Sequence, residues 1–372
     1  MEILVAAKHL IAEITTALDI KGREHLVLVI KATWQIPLAG QRPRPIAPTP
    51  LLPADDFYGE PGESAMRYGG DFARFKPRCD VLLDASAHAP DGKPVQELLV
   101  GMKFGTLQKG IKVLGLRTWR KRLGLLGLTD PEPFVSMPLH YGMAFGGTRQ
   151  YKKGRDETSS EAHPENPNGI GWAGPKTSGD LDGVPAPSLE AIGDPTTRPT
   201  GKHKPTAFSA IGRHWQPRPQ FAGTYDAKWL QEVCPFLPED FDEQYHQCAP
   251  LDQQIAYPTG GEEVVLANMM LGRSSVHFKM PKLNMQVRIL RKDYTVDTPT
   301  AVVDTLYFEP DKKRFSAVWR VSVPIKRRIH EFSTVAIGPV DVDWWHNKIM
   351  GLDGEGCARC GPSLVTEPKE AE

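Results

Sequence analysis

Asp80-Val-Leu-Leu-Asp-Ala-Ser-Ala-His88, then Ala89-Pro-Asp-Gly-Lys93, then Val95-Gln-Glu-Leu-Leu-Val-Gly-Met-Lys-Phe104 is the stretch that decides the fold class. The flanking runs are short and rich in Val and Leu. The Pro-Asp-Gly between them has the chemistry of a tight reversal, because proline presets one torsion and glycine accepts a positive φ. Two such runs across such a turn predict a hairpin, with 95–104 returning beside 80–88. Lys112-Val-Leu-Gly-Leu-Arg-Thr-Trp119 predicts a third strand. A meander of short strands points to a sandwich or barrel rather than to alternating βαβ units.

The pattern holds on both sides of this stretch. Upstream, Glu24-His-Leu-Val-Leu-Val-Ile-Lys-Ala-Thr-Trp-Gln-Ile36 is a strong strand, whereas residues 9–21 are ambiguous between a short helix and an opening strand. Six prolines between residues 41 and 64 make that segment an extended connector. Downstream, strands are expected at 262–268, 275–280, 285–291, 301–308, 314–324 and 328–338, with turns roughly every ten residues. Proline, at 34 of 372 residues, is nearly double its usual share, which favours short strands and many turns.

The segment between these β-rich parts differs. Residues 148–220 hold ten prolines and nine glycines but only six Ile, Leu or Val, too little to bury a core, so the segment must drape over other structure or stay mobile. The expected organisation is mainly β. An N-terminal β-rich part (1–147) is joined by a Pro/Gly-rich loop segment (148–220) and a connector with a short helix (221–255) to a C-terminal β-rich part (256–345) and a tail (346–372). Both β-rich parts are read as sandwich-like or barrel-like antiparallel sheets.

Within the connector, Asp226-Ala-Lys-Trp-Leu-Gln-Glu-Val-Cys234 reads as a short helix, with Asp226 as N-cap and Pro235 as stop. Trp229, Leu230 and Val233 form its apolar face. A helix this short needs docking, and the expected partner is the β core, with Tyr225, Trp229 and Phe241 buried. The 148–220 segment is then the expected partner-contact region.

Lys plus Arg and Asp plus Glu are 45 each, so no general attraction to nucleic acid or anionic membrane follows; either would need a localised basic face. Arg120, Lys121 and Arg122 form a small basic knot beside Trp119, read as a solvated strand end or turn. No run approaches the length of a membrane span, and the first residues lack the pattern of a signal peptide. Five scattered cysteines fit reduced thiols in a cytoplasm better than a disulfide framework.

Chemical motifs are weak. Gly169-Ile-Gly-Trp-Ala-Gly174 matches G-x-G-x-x-G and, continued to Pro175-Lys-Thr177, approaches a phosphate-binding loop; no strand precedes it and no helix follows. Cys357-Ala-Arg-Cys360 is half a zinc site, with His346 nearest in sequence, and His246-Gln-Cys248 beside Asp240 and Asp242 is a second loose ligand group. Both are read as structural, so neither metal nor cofactor is expected. Glu239, Asp240, Asp242 and Glu243 follow Leu237-Pro238, where acids are ordinary helix-start residues. No catalytic triad assembles.

Taken together, several motifs resemble one family. Gly223-Thr224-Tyr225-Asp226-x-x-Trp229, Leu237-Pro238-x-Asp240-Phe241-Asp242 and Ala249-Pro250-x-Asp252-Gln253-Gln254 look like the hallmark of the family called domain of unknown function 2169. Supporting matches are Pro138-Leu-x-Tyr-Gly-Met-Ala-Phe145-Gly146-Gly147, Asn166-Pro167-Asn-Gly-Ile-Gly171, Val303-Asp304-Thr-Leu306 and Ala317-Val-Trp319-Arg320. The segment Glu232 to Cys234 departs from the family pattern, which usually has an arginine there. The resemblance implies a non-enzymatic bacterial accessory protein of type VI secretion, acting in the cytoplasm. Such an adaptor or chaperone helps to load an effector with a proline-alanine-alanine-arginine-repeat-like (PAAR-like) tip domain onto the trimeric spike. Its expected partners are that effector and the spike-tip trimer, not nucleic acid or membrane. A hydrolase using the acids around Asp240, or else the cluster Asp226 and Asp252, is the alternative in a different class. A carbohydrate-binding β module with exposed Trp and Tyr is a third.

Overall fold

The strand Glu24–Gln35 is covered along its whole length save its two ends. Its run over residues 26–30 is apolar on both faces, the pattern of a strand enclosed from both sides, and the polar residues that then alternate on one face, Lys31 and Thr33, are buried against Asp71 and Ser316. The computed structural model describes residues 1–38, 40–152, 158–174 and 181–352. In it Glu24–Gln35 pairs antiparallel with Leu10–Leu18 on one side and with Arg314–Pro324 on the other. The sheet continues through Val302–Glu309 and Cys79–Leu83 to the two-residue strand Gln254–Ile255, and Arg44–Ile46 adds a branch on Glu24–Gln35. The ambiguous residues 9–21 thus hold a strand.

A second sheet runs Leu189–Ala191, Leu107–Leu114, Glu97–Phe104, Glu263–Met270, Arg273–Lys279. Phe104 and Phe278 from this sheet meet Phe308 and Phe315 from the first, with ring centroids 5.4 to 6.2 Å apart. Trp34 stacks on Phe315 behind them. These rings fill the seam between the layers, where large aromatic side chains remove the most apolar surface from water. A third sheet joins Glu2–Val5, in parallel, to Phe332–Ile337 and on to Val287–Arg291 and Val296–Asp297. The protein is mainly β, with several largely antiparallel sheets, two α-helices among the described residues and no closed barrel.

Four expectations need correction. Residues 95–104 do not return beside 80–88: Glu97–Phe104 pairs with Leu107–Leu114 and Glu263–Met270, while Cys79–Leu83 lies parallel to Val302–Glu309. The Pro-Asp-Gly reversal exists, but partners far along the chain outcompete the local hairpin. The two β-rich parts of the chain are interleaved, since strands from before residue 148 and after residue 253 alternate in the first sheet and share the second. The described part of residues 148–220 does more than cover other structure, since Leu189, Phe208, Ile211 and Trp215 enter the main core from it. Finally, Val342–Ile349 is a helix crossing the expected start of the tail. Asp341 caps it by accepting from Trp344 N (2.8 Å), and Trp345 packs on Leu290 and Ala336. Cys357 and Cys360 lie outside the described residues.

Candidate functional site

Residues 221–255 divide into an inner half that ties down to the first sheet and an outer half that stands off it. Asp80 makes the inner joint. It is the lone acid in the run Cys79–Leu83 and is fully buried. Its carboxylate accepts from Gln247 Nε2 (2.6 Å), Cys248 N (2.9 Å), Ala249 N (3.2 Å) and Lys76 Nζ (3.0 Å). Lys76 also donates to Thr305 Oγ1. A buried carboxylate surrounded by so many donors is compensated for its lost water. An acid inside an otherwise apolar strand is the sequence signal of such a partner.

The neighbouring family-motif residues make similar joints. Gln253, wholly buried, donates to Val81 O (2.6 Å) and Phe208 O (3.0 Å) and accepts from Lys109, which also pairs with Asp252. Burial pushes the Lys109 amine down to about 8, against the pull of Asp252. Pro250 is buried beside them. Arg320 pairs with Asp304, both out of solvent, and donates to Ala73 O; Trp319 Nε1 donates to Leu283 O (2.7 Å). Arg218, which the sequence did not single out, ties Ile211 O and Tyr245 O together (2.8 and 2.9 Å).

The motif Phe145-Gly146-Gly147 meets Asn166-Pro167 in a separate joint. Asn166 Nδ2 donates to Tyr141 O and Phe145 O, and Thr148 Oγ1 donates to Pro167 O. A Cβ on Gly146 would lie 2.2 Å from Asn166 O, so only glycine fits that approach. Gly169–Gly174 lies against this joint as a short strand, Ile170–Gly171, with no described helix following; Pro175 to Thr177 lie outside the described residues.

In the outer half, Gly223 takes φ +79°, and a Cβ there would stand 2.8 Å from Pro238 Cβ. Thr224 donates its N–H and its hydroxyl to the two oxygens of Asp240 (2.8 and 2.7 Å), closing the loop against Leu237-Pro238. Asp226 accepts from Trp229 N (2.8 Å) as the expected N-cap of Ala227–Glu232. Trp229 Nε1 donates to Phe236 O (2.9 Å), and Tyr225 meets the Trp229 ring edge-on at 4.8 Å. Each motif residue here closes one small knob, spanning residues 223–241.

That knob corrects the expected docking. Phe241 is buried, but Tyr225 is 55%, Leu230 64% and Phe236 45% exposed, and Trp229 and Val233 are only partly covered. The helix does not lay its apolar face on the β core, because internal hydrogen bonds complete the knob without it. Phe236 instead rests on the turn at Gly22, where an added Cβ would meet its ring at 2.9 Å. The result is a fixed apolar edge facing solvent.

The acids do not converge on a common reacting centre. Asp226, Asp240 and Asp242 each accept a nearby backbone N–H, Glu243 pairs with Arg74, and Asp252 sits across the inner joint with Lys109. The hydrogen bonds from Thr224 hold the Asp240 carboxyl below its ordinary range. His246 rests on the Phe241 and Tyr245 rings, while burial pushes the Cys248 thiol up to about 12. Among the described residues no group of three or more His, Cys, Asp or Glu could hold a metal ion, and no helix is long and apolar enough to cross a membrane.

Neither a search of curated proteins nor a search of solved structures gives a match. The profile of the family described as "Uncharacterized protein conserved in bacteria", domain of unknown function 2169, matches residues 21–320, and the chain belongs to that family.

Proposed function

We propose that this protein is a non-enzymatic adaptor, or chaperone, of the bacterial cytoplasm. It binds a type VI secretion effector carrying a PAAR-like tip domain and helps to load that effector onto the trimeric spike. The observation that carries this proposal is the knob, which presents Tyr225, Leu230 and Phe236 to solvent around a half-covered Trp229 on a base fixed by Asp80 and Arg218. An exposed apolar edge with aromatic anchors suits protein recognition, and its prior rigidity lowers the ordering cost of binding. The role itself comes from the family resemblance, and the knob supports it.

The test is co-purification with a PAAR-like effector. Combined Tyr225→Ser, Leu230→Ser and Phe236→Ser is expected to weaken capture at least ~10-fold. Undiminished capture by this variant, or normal effector secretion by a strain lacking the protein, sinks the proposal. The exposure of Tyr225 beside Trp229 also favours a second reading, carbohydrate binding on their ring faces. Tryptophan fluorescence during oligosaccharide titration separates the two.

A further inference from the structure

The strands Arg117–Arg122 and Leu125–Leu128 form a hairpin whose base is part of the fold and whose apex is not. At the base, Trp119 is fully buried opposite Leu128 and donates through Nε1 to Gly171 O (3.1 Å), and Arg117 pairs with Glu190. Beyond it, register places Arg120 opposite Gly127, Lys121 opposite Leu126 and Arg122 opposite Leu125. Arg120, Arg122 and Leu125 therefore share one face. All three cations are exposed, and none forms an ion pair among the described residues. Asp182 accepts the backbone N–H of Lys121 at the flank (2.8 Å), but the hairpin itself contains no acid.

The apex is a two-residue turn, Leu123-Gly124, with φ +50° and +79°. Such a turn favours Asn-Gly, because a leucine Cβ crowds the backbone in the left-handed region. Leu123 is moreover fully exposed, at 104%, and Leu125 is 76% exposed. Folding explains neither the leucine at a strained position nor its lack of cover. A residue that breaks a local rule without stabilising the fold marks a contact made outside it.

We infer that this apex is a docking element for an anionic lipid surface, with Leu123 and Leu125 entering the headgroup boundary and Arg120, Lys121 and Arg122 lying among the lipid phosphates. Charge and residue type choose this occupant. A run of like charge without an acid matches a continuous anionic surface, and aliphatic leucines suit the interface, whereas leucine is under-represented among protein hot spots. The turn amides stay at headgroup level, where water and phosphate satisfy them. The zero net charge of the chain is no obstacle, since a localised basic face suffices. The inference stands apart from the adaptor proposal and uses none of its residues.

The full chain would be sedimented with vesicles of phosphatidylcholine alone and with vesicles one-third phosphatidylglycerol, at low and at physiological salt. Binding is expected only to the anionic vesicles, and weaker at the higher salt. Neutralising Arg120 or Arg122 to Gln is expected to weaken it roughly fivefold each. Leu123→Asn is the separating variant: asparagine suits a positive φ, so the melting temperature is kept or raised, while binding falls roughly tenfold or more. No binding to anionic vesicles at low salt, equal binding to neutral ones, or full binding by Leu123→Asn each overturns the inference. So does loss of an acidic protein partner by that variant with vesicle binding intact, which would make the apex a protein contact.

Discussion

The two halves of the 221–255 connector use the same residue types to opposite ends. In the inner half Asp80 meets Lys76, Gln247 and the backbone of Cys248 and Ala249 out of water; in the outer half Asp240 meets Thr224 in full solvent. A carboxylate with its donors in the interior is a joint whose loss strands other groups, while the same bonds at the surface only shape a loop. The inner half therefore carries stability, and the outer half is free to present apolar side chains.

Asp80→Ala tests that contrast most severely. It leaves the Lys76 ammonium and two backbone N–H groups buried without their acceptor, at an expected cost of ~3–5 kcal/mol in urea denaturation. A loss no larger than that of a surface substitution would erase the distinction between the halves.

Acid is the next probe. Burial first, and the charges of Lys76 and Arg213 next, push His246 down to about 3, so its 3.6 Å approach to Glu243 is not an ion pair near neutrality. Burial pushes His140, stacked on Tyr58, down to about 4. Both imidazoles are neutral when folded and take up a proton on unfolding below pH 6.5. The unfolded chain then holds more protons, so their contribution is complete above pH 6.5 and declines towards pH 4, by up to ~1.4 kcal/mol per pH unit for each histidine. Melting temperatures unchanged between pH 7 and pH 4 contradict this.

Gly223→Ala acts on the outer half and is expected to cost ~1–2 kcal/mol for the left-handed backbone, with more from the approach to Pro238. Smallest of all, the Tyr225, Leu230 and Phe236 serine variants should each cost at most ~1 kcal/mol of stability while affecting capture of the effector. A larger loss would place the edge in the fold rather than outside it.

The sequence disclosed what is set locally. The strand expected at 24–36 is found at Glu24–Gln35, and the Asp226 cap is found as read, because alternation and capping act within a few residues. Pairing was hidden. Nothing near Cys79–Leu83 announces that its parallel neighbour is Val302–Glu309, more than two hundred residues on. Exposure was hidden too, since Tyr225 and Leu230 look like core residues until the Thr224–Asp240 and Trp229–Phe236 bonds show that the knob completes itself. The helix Val342–Ile349 was missed although Asp341 and Trp344-Trp345 carry its signal.

The interleaving of early and late strands also constrains how the chain is made. Glu24–Gln35 leaves the ribosome long before Arg314–Pro324, the neighbour that covers one of its edges. At ordinary synthesis rates the gap is on the order of tens of seconds. Throughout that interval a strongly apolar strand waits with an open edge, held only by Leu10–Leu18 and Arg44–Ile46. The first sheet cannot be completed before Arg314–Pro324 has emerged, so a nascent chain halted near residue 260 is a species in need of protection from aggregation.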